Sequence, residues 1–589
     1  MQTATDSVTS GPAADLAQQA GFATLDWIVI VLYFCLIGWI AWWYGRHQKN
    51  QIDYFLASRN AGWVVIGASI FTSNIGSEHI VGLAGQGAAT GMAMAHWELH
   101  AWCLVVLAGL FVPFYYKSGV ETIPQFLEKR FSARARMILS CVSLVAYVFT
   151  KVSVTVYAGA IVFQALLPDT FGTPQNAFWV GAFSTVIITG IYTVFGGMRA
   201  IMSTSTPQAV IILFGSFVIT AIGLIKLGDG QGLGAGWSEL VEQCKVNKES
   251  FALWRPLSDP GFPWLGILIA SPIVGLWYWC TDQYIVQRAL SAKDLVTARR
   301  GALFGGVLKV WPVLIFMIPG MIGWALHQKG IIALPPKMVG GEVVAPIDGD
   351  QVFAIMVKLL LPVGIRGLIV ACLLAALMSS LASLFNSSAS LFTVDIYEKL
   401  RPGRSPQHLL LVGRVATAVV VALGIIWIPV MAKISGGGLY QYLQSVQGYL
   451  APPITAVFFL GLFWTRINSA GASWGLGAGF VLGMIKLTIQ AFFGQGKIES
   501  PALLAQIGDF NFLYASGVLF LLSSIIVVIA SYMTEPPPEE KIRGLTYGSI
   551  HHESATEIKA SWDFGNKFMA ALILLLVGTM YIYFSFWLN

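Results

Sequence analysis

The chain has 589 residues, of which 56% are hydrophobic and 11% charged, whereas soluble domains carry about a quarter charged residues. At roughly 20 apolar residues per helical span, this length holds a dozen or more crossings, which excludes a soluble domain and a single-anchor receptor alike. The formal charge of +6 resides in short inter-helix loops, where basic residues set orientation, so no nucleic-acid partner is implied.

Fourteen spans are predicted. The first, Thr24 to Tyr44, follows a polar and acidic segment without a basic leader, and so reads as a retained helix instead of a signal peptide. Ala61 to Ala88, Met92 to Tyr116, Met137 to Leu166, Phe178 to Phe195 and Ala209 to Leu227 come next. Trp264 to Val286, Ala302 to Leu326, Gly367 to Val394, Leu409 to Val430 and Leu439 to Trp464 follow, and Ala470 to Phe493, Phe512 to Met533 and Phe568 to Leu588 complete the set. Loops after odd-numbered spans hold most of the Lys and Arg, for example Lys129, Arg130, Arg134 and Arg136. The positive-inside bias then puts both termini outside the cytoplasm. Five of the six cysteines fall in apolar segments and Cys244 lies alone, so neither a disulfide framework nor a zinc motif follows.

Two spans have interiors unsuited to a lipid-facing rod. The second carries Phe71-Thr72-Ser73-Asn74-Ile75-Gly76-Ser77-Glu78-His79, and the seventh has Pro272 and Gly275 before Trp277-Tyr278-Trp279-Cys280-Thr281-Asp282-Gln283. Transporters use such interruptions to expose backbone groups at the membrane midplane. Breaks five spans apart suggest two five-helix repeats of opposite topology. The ninth span places adjacent hydroxyls, Ser379 and Ser380, in a small-residue helix; Na+ takes such neutral oxygens, and interhelical hydrogen bonding is the alternative account.

Ionisable groups within spans are functional candidates. Glu98 and Lys309 are the sharpest, as a structural ion pair or as partners for substrate hydroxyls, whereas Lys151, Asp282, Arg414 and Lys486 are ascribed to snorkelling or packing. Gln444 interrupts the eleventh span with donors and acceptors. In His96-Trp97-Glu98-Leu99-His100 the histidines share a helical face and Glu98 lies on the opposite side, unlike a metalloprotease motif. A solvated pair at the outer membrane surface is expected.

On Ser73 to Ser77, Trp277 to Arg288, Lys309 with Pro312, Ser379 to Tyr397 and Leu443-Gln444-Ser445, the chain resembles the sodium:solute symporter family, most closely its sodium/glucose cotransporter branch, along nearly its whole length. The resemblance implies an all-α membrane protein of about 14 helices with a LeuT-type core of two inverted five-helix repeats, 61–227 and 264–464. Around these lie an extracytoplasmic tail 1–23, a preceding helix 24–44, additional helices 470–533, a cytoplasmic linker 534–567 and a last helix 568–589. It implies a Na+-coupled importer of a hexose, not an enzyme, in the plasma membrane bilayer, with no obligatory protein partner. By matching positions, Asn74, His79, Glu98, Lys309 and Gln444 would bond sugar hydroxyls, and Tyr278 would stack on the ring as inner gate beside Trp279. Leu83 and Tyr440 would close the outer side. Carbonyls of Thr72, Ile75 and Ala376 with hydroxyls of Ser379 and Ser380 would hold Na+.

Three departures bear on specificity and coupling. Ser205 stands where sugar transporters of this family commonly have Asp, and Ala382 where two-sodium members place a hydroxyl; one Na+ per sugar is therefore expected. Gly275 stands where relatives offer a sugar-bonding side chain. Rival readings are another solute on the same fold, such as inositol, sialic acid, proline, pantothenate or iodide; a sugar-gated sensor or leak channel; and, resting on His96 and His100, a metal-dependent membrane enzyme.

Overall fold

The structure is a computed structural model and describes residues 22–46, 48–76, 78–167, 170–339, 342–434, 439–493, 502–553 and 555–589. The expected tail 1–23 lies almost wholly outside the described residues, as does Ser77.

The apolar run Thr24–Gly45 forms helix α1. Its single acid, Asp26, is placed where a first-turn carboxylate is useful: it accepts from the Ala23 amide at 3.1 Å and binds the Arg366 guanidinium at 2.6 Å. α1 is thereby pinned to the start of a later core helix. Trp63–Asn74 (α2) stops at Ile75, whose φ of −80° and ψ of 79° are not helical. The chain turns through Gly76, whose amide bonds the Asn74 carbonyl at 2.9 Å, and resumes as the helical run His79–Ser118 (α3), which is itself interrupted at Gly91, with φ of 61° and ψ of −133°. Ala133–Ala146 (α4) and Ser153–Leu166 (α5) follow, joined by one widened turn at Tyr147–Val152.

Pro174–Leu227 (α6) is a continuous helical trace of 54 residues. Its 54 residues are more than twice what one crossing needs, and a residue without helical dihedrals divides them. The bend that divides it lies at Gly197, with φ of 55°, where a Cβ would stand 2.8 Å from the Tyr54 carbonyl. Spans five and six of the sequence reading meet there, joined through a non-helical glycine with no intervening loop. Trp264–Thr281 (α7) ends in a widened turn and breaks at Asp282, which is extended and caps Gln283–Leu290 (α8).

Leu295–Gln328 (α9), Ile365–Leu400 (α10), Pro406–Ile434 (α11), Leu439–Phe463 (α12), Ser469–Phe493 (α13), Phe512–Tyr532 (α14) and Phe564–Phe586 (α15) complete the described bundle. A two-stranded antiparallel hairpin, Lys337–Val339 with Glu342–Ala345, lies between α9 and α10. Eleven helical runs among the described residues are long and apolar enough to cross a membrane, where the sequence predicts fourteen spans; two of these runs, α3 and α6, are interrupted by the non-helical Gly91 and Gly197, and α2 and α5 are shorter apolar helices.

Burial separates centre from periphery. The apolar window of α10 is 94% buried, whereas those of α1, α13 and α15 are 22%, 22% and 17% buried. α10 packs along α6, and α2 along α9. Where α3 crosses α9 the backbones touch: a Cβ on Gly87 would stand 2.3 Å from the Met317 carbonyl, and one on Gly320 1.9 Å from that of Ala84. Small residues at such crossings let membrane helices approach without help from apolar burial.

Candidate functional site

Both breaks face one cavity of about 40 Å³, lined by Asn74 and His79 beside the first break and by Tyr278 and Trp279 beside the second. Glu98 enters from α3, Lys309 from α9 and Gln444 from α12. All seven residues expected to hold substrate therefore converge, from five separate stretches of the chain.

Their charges are internally matched. Glu98 is fully buried and receives the Lys309 ammonium at 2.5 Å on one oxygen and His79 Nε2 at 3.4 Å on the other. Lys309 Nζ also lies 5.5 Å from the Trp279 ring. A buried charge left alone is costly, and this arrangement compensates it within the cavity wall. Asn74 donates to the Tyr278 hydroxyl at 3.1 Å, which ties the two breaks together. Three further polar atoms on the wall, Asn74 Oδ1, Gln444 Oε1 and Trp97 Nε1, are buried without hydrogen-bond partners among the described residues. Native structures rarely leave such atoms unsatisfied, and each demands an explanation.

Behind the first break, α10 runs past the last carbonyls of α2. The Ser380 hydroxyl donates to the Ser73 carbonyl at 3.1 Å and reaches that of Thr72 at 3.5 Å. Ser379 Oγ is buried without a hydrogen-bond partner among the described residues, and Ala376 lies one turn earlier, fully buried. The donor set is thus neutral oxygen, mixing carbonyl and hydroxyl, the chemistry that suits a small hard cation. Ser205 on α6 donates to the Ile201 carbonyl at 2.7 Å and lies 3.4 Å from Ser69 Oγ. Ser69 Oγ in turn accepts from Arg288 Nε at 3.1 Å.

Several cavity residues escaped the sequence reading. Lys151 is not snorkelling: its ammonium is buried, binds Asp282 at 2.5 Å and stands 4.7 Å from the Tyr278 ring. The Tyr147 hydroxyl donates to the other Asp282 oxygen. The available signal was that both charges sit about one turn or less from a tyrosine, Lys151 from Tyr147 and Asp282 from Tyr284. His96 and His100 are likewise not solvated; they are 1% and 3% exposed. His96 bonds Tyr581 and the Leu253 carbonyl, because the last helix, α15, covers that end of α3. His100 bonds Ser271 Oγ at 2.7 Å and lines the cavity. Its ring occupies the space beside Gly275, where a Cβ would come within 3.1 Å of it. Of the expected gates, Leu83 is fully buried in the turn after the first break, and the Tyr440 side chain lies outside the described residues.

The model of the sodium:solute symporter family matches residues 54–479. The chain belongs to that family. Among curated relatives of this symporter, sodium/glucose cotransporter 2 of Rattus norvegicus is 39% identical over 559 residues, covering 90% of this chain and 82% of its own. The sodium/myo-inositol cotransporter of Canis lupus familiaris is 36% identical over 556 residues, covering 90% and 76%. Among solved structures, a Na+-coupled sialic acid symporter in a substrate-bound, outward-open state superposes with a TM-score of 0.70 at 20% identity, covering 87% of this chain and 99% of its own. The symporter is accordingly an all-α, multi-pass membrane protein of LeuT-type fold. It is a sodium-coupled solute transporter and not an enzyme, with Na+ as coupling ion.

Proposed function

We propose that this symporter imports a neutral hexose, glucose or galactose, with one Na+ per sugar, by alternating access across the plasma membrane, with both termini outside the cytoplasm. One observation carries the reading: three buried polar atoms without partners, two acceptors and one donor, face the same cavity as an aromatic pair. A pyranose is a ring of hydroxyls with apolar C–H faces, and it satisfies all of these together. The sugar hydroxyls donate to Asn74 Oδ1 and Gln444 Oε1, accept from Trp97 and Lys309, and donate to Glu98. Tyr278 and Trp279 cover the ring. His79 holds the Glu98 carboxylate in position and meets a further hydroxyl. A cavity of about 40 Å³ has to widen to admit a hexose, and opening and closing it is the gating step, with Tyr278 on the inner side and Leu83 and Tyr440 on the outer.

Na+ binds between the Thr72, Ile75 and Ala376 carbonyls and the Ser379 and Ser380 hydroxyls. Coupling follows from chain connectivity. Thr72 and Ile75 flank Asn74, so the ion that fixes the end of α2 also fixes a sugar-binding amide. Each ligand then raises the affinity of the other, as linkage requires.

A second reading, a cyclic polyol as cargo, is favoured by the inositol cotransporters being nearly as similar as the glucose ones. An anionic cargo is disfavoured, because no arginine lines the cavity and Lys309 is already matched by Glu98. The test is uptake of labelled glucose, galactose and myo-inositol into proteoliposomes under imposed Na+, K+ or proton gradients. Hexose accumulation that needs Na+ and vanishes in Gln444→Ala and Ser380→Ala is expected. Preferential accumulation of myo-inositol makes the cargo a polyol, and hexose flux indifferent to Na+ overturns the proposal in favour of a leak or sensor.

A further inference from the structure

A second and larger cavity shares no lining residue with the first and forms an apolar groove between α1, the first half of α6, and α10. Its volume is about 920 Å³. Ile188, Ile191 and Phe195 on one lip and Trp42 on the other are exposed on the outside of the bundle, so the groove opens sideways into lipid. It runs from Trp27 to Arg46 along α1, about 28 Å at 1.5 Å per residue, close to the thickness of the hydrocarbon layer.

The two ends differ. The Trp27 end is apolar and aromatic. The other end carries Arg46 and Arg414 and no acid among its lining residues. The same end gathers Gly196, which accepts from Gln48, and Tyr54, which bonds Thr193 and Thr417, so both arginines belong to one corner. Arg46 lies flat over Trp43, 3.9 Å from the ring, which holds its guanidinium at the rim. Arg414 Nε is buried without a hydrogen-bond partner among the described residues. Two guanidiniums at the head of an apolar slot present the charge and shape of an anionic amphiphile in negative relief. The segment preceding α1 joins the opposite end of that helix and so starts far from the arginines.

We propose that this groove is a binding site for an anionic phospholipid of the leaflet on the arginine side, its phosphate held by Arg46 and Arg414 and one acyl chain laid along α1 past Gly38. The phosphate supplies the acceptor that Arg414 Nε lacks, and the chain lies along a mainly apolar wall that includes Ile30, Phe34, Ile37 and Leu374.

The test is lipid retention. Full-length protein, purified in mild detergent, is exposed to vesicles of equal phosphatidylglycerol and phosphatidylcholine, and retained lipid is counted by native mass spectrometry. Preferential retention of phosphatidylglycerol is expected, with the preference falling about fivefold for each arginine removed in Arg46→Gln and Arg414→Gln. A variant without a charge change guards against misfolding: a Cβ on Gly38 meets nothing within 4 Å, so Gly38→Phe fills the groove and lowers retention of both lipids. Equal retention of the two lipids by the unmodified protein overturns the proposal. So does unchanged retention in Gly38→Phe, or displacement of the lipid by glycerophosphate, which lacks the acyl chain. Deletion of residues 2–20 leaves retention unchanged if the lipid is the occupant and raises it if that segment is.

Discussion

Gly275 and His100 form a pair that only the folded chain shows. The absence of a side chain at 275 lets the imidazole stand in the cavity wall, anchored to Ser271 at 2.7 Å. Replacing Gly275 with Ser places a Cβ 3.0 Å from Cys103 Sγ and 3.1 Å from the ring, so the ring must yield. Gly275→Ser is expected to change the ranking of hexoses by about 10-fold in KM, on the scale of one buried hydrogen bond, and Gly275→Ser with His100→Ala to recover affinity; competition uptake with sugar epimers measures both. Ser205 makes a similar case for the ion. Arg288 is fully buried and its Nη2 lacks a hydrogen-bond partner among the described residues, while its Nε reaches Ser205 only through Ser69. A carboxylate at 205 supplies the missing counter-charge and lowers the local positive potential. Ser205→Asp is therefore expected to reduce the half-saturating Na+ concentration about fivefold, an effect of ~1 kcal/mol, and to raise thermal stability. An unchanged Na+ titration of uptake argues that residue 205 is too far from the ion to matter.

The elements show which parts of the sequence were legible. Both breaks were, because Asn74-Ile75-Gly76 and the Pro272 to Asp282 stretch put weak helix formers and polar groups where apolar runs belong. Gly196-Gly197 with Arg199 likewise marks the boundary after Phe195, but what the sequence does not show is the approach of the Tyr54 carbonyl to Gly197, a contact across 143 positions. The Lys151 and Asp282 pair was undervalued for a related reason: each charge alone reads as misplaced, and only the meeting of α7 with the turn between α4 and α5 makes them partners. A short amphipathic helix, Ile123–Arg130, lies in a stretch that the apolar pattern assigns to a loop. It holds Glu128, which binds Arg136 at 2.5 Å and Lys399 at 2.6 Å, while Arg136 also binds Asp395 of α10 at 2.6 Å. Burial works to raise the Glu128 carboxyl, but hydrogen bonds from Lys399 and Arg136 outweigh it and bring it below its ordinary 4.5. A depressed carboxyl stabilises the fold above its unfolded pKa and loses that contribution as pH falls through the folded value. Thermal unfolding is thus expected to be insensitive to Glu128 ionisation between pH 6 and 8 and to lose stability only below about pH 4.5. Glu128→Gln removes that acid limb, a difference of ~1 kcal/mol or less because the group is partly solvated.

For the whole molecule, the quantity that matters is how many charges cross with each sugar. Among the described residues a set of neutral oxygens gathers behind the first break, around Thr72, Ser73, Ser379 and Ser380, while the positions where the family resemblance implies an acid and a further hydroxyl in two-ion members hold Ser205 and Ala382. The Glu98 and Lys309 charges cancel within the cavity, so a neutral sugar adds none. One elementary charge moving through 100 mV is worth ~2.3 kcal/mol, which at 1.4 kcal/mol per tenfold sustains a sugar gradient of about 50-fold. Two charges would sustain about 2,500-fold at the same potential. With Na+ equal on both sides of a proteoliposome and a potassium diffusion potential of about 100 mV, inside negative, accumulation is expected to plateau near the lower figure. It is also expected to scale as a single exponential of the imposed potential, with a slope of one charge. A plateau far above the lower figure requires a second ion and points back to α6 and α10, where Ser205 and Ser383 carry hydroxyls; no plateau at all means that the two breaks in the bundle bind their ligands independently, and the linkage through Asn74 fails with it.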